Sequence, residues 1–303
     1  MAFRLKPGEP LSKALKRIVG RQLELAATEL KEVGTPKSDE KIHDARRRVK
    51  KIRAVVRLVQ PSLGRTVRAV DRRLREMSRL LAPVADGQGV VQALDRLGEK
   101  YPGDLPEPVR APIRAGLLER AARTDRKVKV DHVLQTVAFS LRAERERVVG
   151  WRLKRGGFQA IAPGLEKSFR SGRKAMRRVL THPTPDNYHR WRRRLKHQWF
   201  HVRLLEARCG RKLIRYGRRL EALDACLGEY HDFALLRSIL FGDAFVSRQE
   251  TARRLRMIER YQSELRQRAR KMGRRIYAER PGHFVRRVRA LWRLAKAAER
   301  VPK

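Results

Sequence analysis

The chain has 303 residues, of which 75 are Lys or Arg and 32 are Asp or Glu, for a net charge of +43. At 41% apolar content it can build a core, so the charge does not imply disorder. A balance this basic selects polyanionic partners, whether nucleic acid, acidic lipid or inorganic polyphosphate, and does not choose among them.

Arg outnumbers Lys, which favours bidentate contact with phosphate over loose attraction. Cys209 and Cys226 have neither metal-ligand spacing nor a disulfide framework, so no metal or cofactor is expected and a reducing compartment fits. The opening MAFRLKPGEP has no apolar core behind its basic residues, and no uncharged apolar run approaches the ~20 residues of a spanning helix. A cytoplasmic protein without a membrane partner is the expectation.

In chain order, Leu11 to Val33 reads as a helix with Leu11, Leu15, Ile18, Leu23, Leu25 and Leu30 roughly on one side, ended by Gly34-Thr35-Pro36. Ser38 to about Pro61 is a second helix with Ser38 as its expected cap. Val67 to Leu81 is a third. Gly87 and Gly89 break it, and Val90 to Leu97 is a short fourth. The loop Tyr101 to Pro108 precedes helices at Val109 to Ala122 and Val128 to Leu153. Gly156-Gly157 marks a join. Beyond it come Leu165 to Leu180, Thr184 to Glu206, Leu213 to Leu227, Phe233 to Leu240, Arg248 to Tyr277 and Phe284 to Ala298. No stretch alternates as a strand does, so the class is all-α. The expected organisation is two pseudo-symmetric helical bundles of about four or more helices each, from residues 11–153 and 157–298.

That symmetry comes from a repeat. Laying Thr184–Glu206 over Ser38–Gln60 without a gap puts His189 on His43, Arg192 on Arg46, Arg193 on Arg47, Lys196 on Lys50 and Arg203 on Arg57 (189 − 43 = 146). At about 100° per residue, positions +3, +7 and +14 from each histidine fall within roughly 60° of one another. His43, Arg46, Lys50 and Arg57 thus form one stripe, and His189, Arg192, Lys196 and Arg203 another. Residues seven apart lie about 10 Å apart along the axis, a span suited to successive parts of one extended polyanion. With Arg47, Lys51, Arg53, Arg193 and His231, these are the expected anion contacts. Cationic neighbours keep His43 and His189 neutral at pH 7, so each is expected to act as a hydrogen-bond donor.

Other constellations point elsewhere. His231-Asp232 and His43-Asp44 are His-Asp pairs of the kind metal phosphohydrolases use, but few other carboxylates surround them. Asp86 and Asp232 read instead as acids that orient an Arg or cap a helix. Trp191 and Trp199 are expected in the core, with Phe200 near the basic stripe. His132, His182, His197, His201 and His283 carry no pattern. Neither a glycine-rich phosphate loop nor a nucleophile–base arrangement can be assigned.

The unit His-x-x-Arg-x-x-x-Lys, present twice in a basic helical chain, resembles the CHAD family, the conserved-histidine α-helical domain. Leu223–Asp232 (LDACLGEYHD) resembles that family's Leu-Gly-x-x-(His/Arg)-Asp element, and Leu81–Asp86 is its twin at the same offset. The resemblance runs from about Leu11 to Leu294. In the second copy Lys196-His197-Gln198-Trp199-Phe200 stands for Lys-Arg-Leu-Arg-Tyr and Arg203 replaces an acid, and in the first Val84-Ala85-Asp86 keeps the acid without the basic residue before it. What the resemblance implies is a non-enzymatic protein that binds inorganic polyphosphate at polyphosphate granules. A non-specific nucleic-acid binder and a metal-dependent polyphosphatase are the alternatives.

Overall fold

Twelve helices and no strand make up the described residues of the computed structural model, which are 3–31, 38–64, 66–81, 87–127, 130–242 and 248–299. They are α1 (Leu11–Lys31), α2 (Ser38–Leu58), α3 (Gln60–Leu63), α4 (Thr66–Leu80), α5 (Gly87–Lys100), α6 (Glu107–Lys127), α7 (Val130–Val149), α8 (Gly157–Thr181), α9 (Pro185–Cys209), α10 (Arg211–Gly242), α11 (Arg248–Ile276) and α12 (Pro281–Ala298). Two expectations, the cap formed by the Ser38 side chain and the role of Asp86, lie outside the described residues.

The apolar spacings become the buried faces. Leu11, Leu15, Ile18, Leu23 and Leu30 of α1 are buried, whereas Leu25, at the edge of that face, is half-buried; Leu134, Val137, Leu141 and Val148 of α7 are buried. α1 packs against α2 and α7, and α4 packs against the same two helices. After the Gly156-Gly157 join, α8 packs on α9, α9 on α10 and α10 on α11, while α12 lies on α8 and α9. The pair α5–α6 leaves the first group, and α5 docks on α10. One continuous apolar core runs through both groups. Its largest fully enclosed side chains include Trp191, Tyr188, Phe169 and Phe233. Each contributes roughly 1.5–3 kcal/mol or more by leaving water.

α9 starts where its sequence directs. Thr184 Oγ1 accepts from the Asn187 backbone N–H at 3.3 Å, Pro185 occupies the first turn, and Asp186 meets the positive helix end. It stops at Gly210, whose φ of 73° and N–H to Glu206 O end the helix.

α10 corrects the sequence reading. The helices expected at Leu213–Leu227 and Phe233–Leu240 are one helix of 32 residues. Gly228, in the stretch between the two expected helices, lies inside this one, where Arg192 of α9 packs against it. A Cβ at Gly228 would meet Arg192 Nη2 at 2.8 Å. α5 likewise begins at Gly87, so the glycines expected to separate two helices open one instead.

α2 and α9 cross near Ala54. His201, buried in the crossing, donates from Nε2 to the Ala54 carbonyl at 2.8 Å, and its Nδ1 lies 3.1 Å from Ser168 Oγ. α8 closes on the end of α2 at Gly164. There a Cβ would stand 1.9 Å from Leu58 O, so only glycine permits the approach.

Candidate polyanion-binding surface

The N-terminal halves of α2 and α9 carry the two histidine-headed rows. On α2, His43, Arg47 and Lys50 are exposed and Arg46 is half-buried. Arg47 pairs with Asp44 at 3.0 Å. Partial burial, then the charges of Lys50 and Arg47, hold the His43 imidazole below its ordinary pKa. His43 is therefore neutral at pH 7, as its neighbours predict.

On α9, the His189 ring lies 4.4 Å from the His231 ring of α10. Burial pushes its pKa down, and Arg193, Arg192 and Lys50 of α2 push it further. The charge of the first row is thus felt at the head of the second. His189 Nδ1 is enclosed with no hydrogen-bond partner. Arg193 is exposed and makes no ion pair with the described residues.

Acids from α10 and a cation from α5 organise the rest. Asp224 lies 3.7 Å from Arg192 and 3.5 Å from Lys196. Arg192 is held at Gly228 with its Nε enclosed and lacking a hydrogen-bond partner. Burial lowers the Lys196 pKa, and Asp224 opposes that shift. Asp232 stands 3.5 Å from Arg96 of α5, which also approaches Glu229 at 3.8 Å. Burial raises the Asp232 pKa against the pull of Arg192 and Arg96. As expected of an orienting acid, Asp232 faces guanidinium groups. Among the described residues no group of three or more His, Cys, Asp or Glu is gathered as for a metal ion.

The rows part in their second halves. Arg53 and Arg57 turn to α4, where Asp71 receives Arg53 at 3.1 Å, Arg57 at 3.3 Å and Arg75 at 3.1 Å. Burial works to raise the Asp71 carboxyl, but the Arg57 and Arg53 guanidinium groups outweigh it and hold the pKa at about 2. Arg57 also donates to His197 of α9. Arg203 instead faces Glu206 at 3.7 Å and the Trp199 ring at 6.0 Å, and Lys51 sits 5.8 Å from the Phe3 ring. The aromatic expectations at this point exchange places. Phe200 is buried and stacks edge-on against Phe3, whereas Trp199 is the half-exposed ring beside the basic residues.

The sequence reading missed Asp71, Asp224, Arg96, Arg194 and His197. For Asp224 a signal was present: Asp224, Gly228, His231 and Asp232 stand at i, i+4, i+7 and i+8, one face of a helix. Asp71 meets Arg53 and Arg57, Arg96 meets Asp232, and His197 meets Arg57 only through the packing of one helix on another.

The arrangement gathers cations around two imidazoles. Neutral imidazole can donate to a phosphate oxygen and can take up a proton when negative charge arrives. Exposed Lys50 and Arg193 supply unburied charge, while Asp224 and Asp232 hold Arg192, Lys196 and Arg96 in position. No helix of the described residues is long and apolar enough to cross a membrane.

A family model described as the CHAD domain matches residues 17–240. The crystal structure of the CHAD domain from the plant Ricinus communis is similar at 17% identity, over 97% of this chain and 95% of that one, with a TM-score of 0.56. At that identity the likeness is one of fold. No curated protein matches the chain.

Proposed function

The chain belongs to the CHAD domain family, and on that premise we propose that it binds inorganic polyphosphate, without cleaving it, on the surface shared by the first halves of α2 and α9. The observation that carries this reading is the crossing of the two helices that bear the rows, where Arg57 of α2 donates to His197 of α9 and His201 of α9 donates to the Ala54 carbonyl of α2; the charge of Lys50 is also felt at His189. A polymer without bases offers only charge and spacing to recognise, and this surface presents both. Binding rather than hydrolysis is supported by the employment of the acids, since Asp224 faces Arg192 and Lys196, and Asp232 faces Arg96. A protein that binds the long polymer collects where the polymer does, in polyphosphate granules.

Competition tests the reading. Labelled long-chain polyphosphate bound at moderate salt is challenged with double-stranded DNA, and the reverse. Polyphosphate should displace DNA at far lower phosphate concentration than DNA displaces polyphosphate. Equal competition would make the surface a general polyanion patch, because non-specific DNA binding fades steeply with salt. Release of orthophosphate in Mg²⁺ or Mn²⁺ would overturn the non-enzymatic part.

A further inference from the structure

Beyond the shared surface, α2, α3, α4, α8 and α9 line a half-open cavity of about 410 Å³. Five formal cations line it, Arg57, Arg68, Arg75, Lys167 and Arg194, against the single carboxylate of Asp71. That carboxylate is already shared by three guanidinium groups. Arg68 and Arg194 have no ion-pair partner among the described residues. Partial burial, followed by the charges of Arg57, Arg193 and Arg190, lowers the Arg194 pKa, so a counter-charge is wanting there. Ser171 adds a hydroxyl with no hydrogen-bond partner among the described residues.

We propose that this cavity is a second anion site, separate from the shared surface, that takes a compact, multiply charged phosphate of tripolyphosphate size. A volume of this order accepts small ligands, and three linked phosphates are smaller than most of them. No Phe, Tyr or Trp lines the cavity, so it lacks the large aromatic platform on which single-stranded nucleic acid binders stack bases. The preference is for dense charge. Asp71 and His197 fix the Arg57 guanidinium before any ligand arrives, so the ligand does not have to order that side chain. An extended polymer spreads its charge over a long surface, and a short chain gains most from cations gathered on several sides of one recess.

Calorimetric titration of the full chain with tripolyphosphate and with long-chain polyphosphate tests the proposal. Three double variants are compared with the wild type: Lys167→Gln with Arg194→Gln in the cavity, Lys50→Gln with Arg193→Gln on the shared surface, and Lys212→Gln with Arg219→Gln as a distant charge control. All six residues are exposed, and melting curves confirm that each variant is folded. The cavity variant should weaken tripolyphosphate at least tenfold and change long-chain binding less than threefold, with the surface variant doing the reverse. If the cavity variant loses no more tripolyphosphate affinity than the charge control, the proposal is wrong. If long-chain polyphosphate fails to bind the wild type while tripolyphosphate still depends on Lys167 and Arg194, the function proposed above falls and the cavity site stands.

Discussion

Arg57 Nη1 donates to His197 Nε2 at 2.6 Å across the α2–α9 crossing. Because a guanidinium has no acceptor, Nε2 must be unprotonated, and the ring's only proton sits on Nδ1, which is enclosed without a partner. Burial first, then the charges of Arg57, His201, Arg53 and Arg194, hold His197 well below its ordinary pKa. His201, four residues on, is fully buried and pushed down from 6.5 to about 4. The helix crossing is thus built on two imidazoles that must stay neutral.

Acid therefore undoes the crossing. Above pH 6.5 both rings are neutral folded and unfolded, and the pair cost nothing. Below it the unfolded chain takes up protons that the folded chain refuses, so stability falls until the folded pKa is reached. For His201 that window runs from 6.5 to about 4 and is worth on the order of 3 kcal/mol. Urea unfolding between pH 7.5 and 4.5 should show this loss, and His201→Gln, less stable at pH 7.5, should show a flatter profile. Parallel profiles would remove His201 as the cause.

Two glycine substitutions should separate packing from binding. At Gly164 an added Cβ meets the Leu58 backbone carbonyl, which cannot step aside. Gly164→Ala should cost about 1–3 kcal/mol or more in urea unfolding. At Gly228 the added Cβ meets only the end of the Arg192 side chain, and a helix interior gains about 1 kcal/mol from Gly to Ala. Gly228→Ala should keep or raise the melting temperature while displacing Arg192 and weakening long-chain polyphosphate about threefold to tenfold.

The two exposed cations should register in salt. Lys50→Gln and Arg193→Gln should each reduce the slope of log affinity against log salt by roughly 0.7–1, the change expected for one lost phosphate contact. Melting temperatures should stay put. A slope equal to that of the wild type would take the substituted residue off the binding surface.

The histidine heads should set a pH dependence. Without ligand, burial and nearby cations depress His43 and His189 below 6.5. An arriving polyanion raises both, so binding takes up protons and tightens as pH falls through the window below 6.5. Titrations at pH 7.5 and 5.5 should show tighter binding at the lower pH, with a smaller difference in His189→Asn. His43→Ala should weaken polyphosphate binding without lowering the melting temperature at pH 7.5, and an equal loss of stability would make His43 a packing residue.

Much of this was legible in one sequence because helices are local objects. Spacing found the buried faces of α1 and α7, and Thr184, Pro185 and Gly210 marked the ends of α9. The gap expected between Leu227 and Phe233 is continuous helix, and the use of Gly228 within it is tertiary: it admits a side chain from another helix, and no signal within α10 says so. Trp199 and Phe200 changed places because the edge of the apolar face is set by Phe3, far off in sequence. His197 and His201 meet Arg57 and Ala54 some 140 residues away, beyond the reach of periodicity. The repeat offered one clue to that meeting. Lys51 and His197 are related by its 146-residue offset, as are Arg57 and Arg203. Arg57 touches His197, and Arg203 is among the charges that depress Lys51.

Holding so many like charges at fixed spacing means that the empty protein strains against itself, and the neutral clasp between His201 and the Ala54 carbonyl is one of the latches that keep it shut. A bound polyanion relaxes that strain. The folded state then becomes hardest to melt when its guest is present, and thermal resistance rises with the amount of polymer supplied.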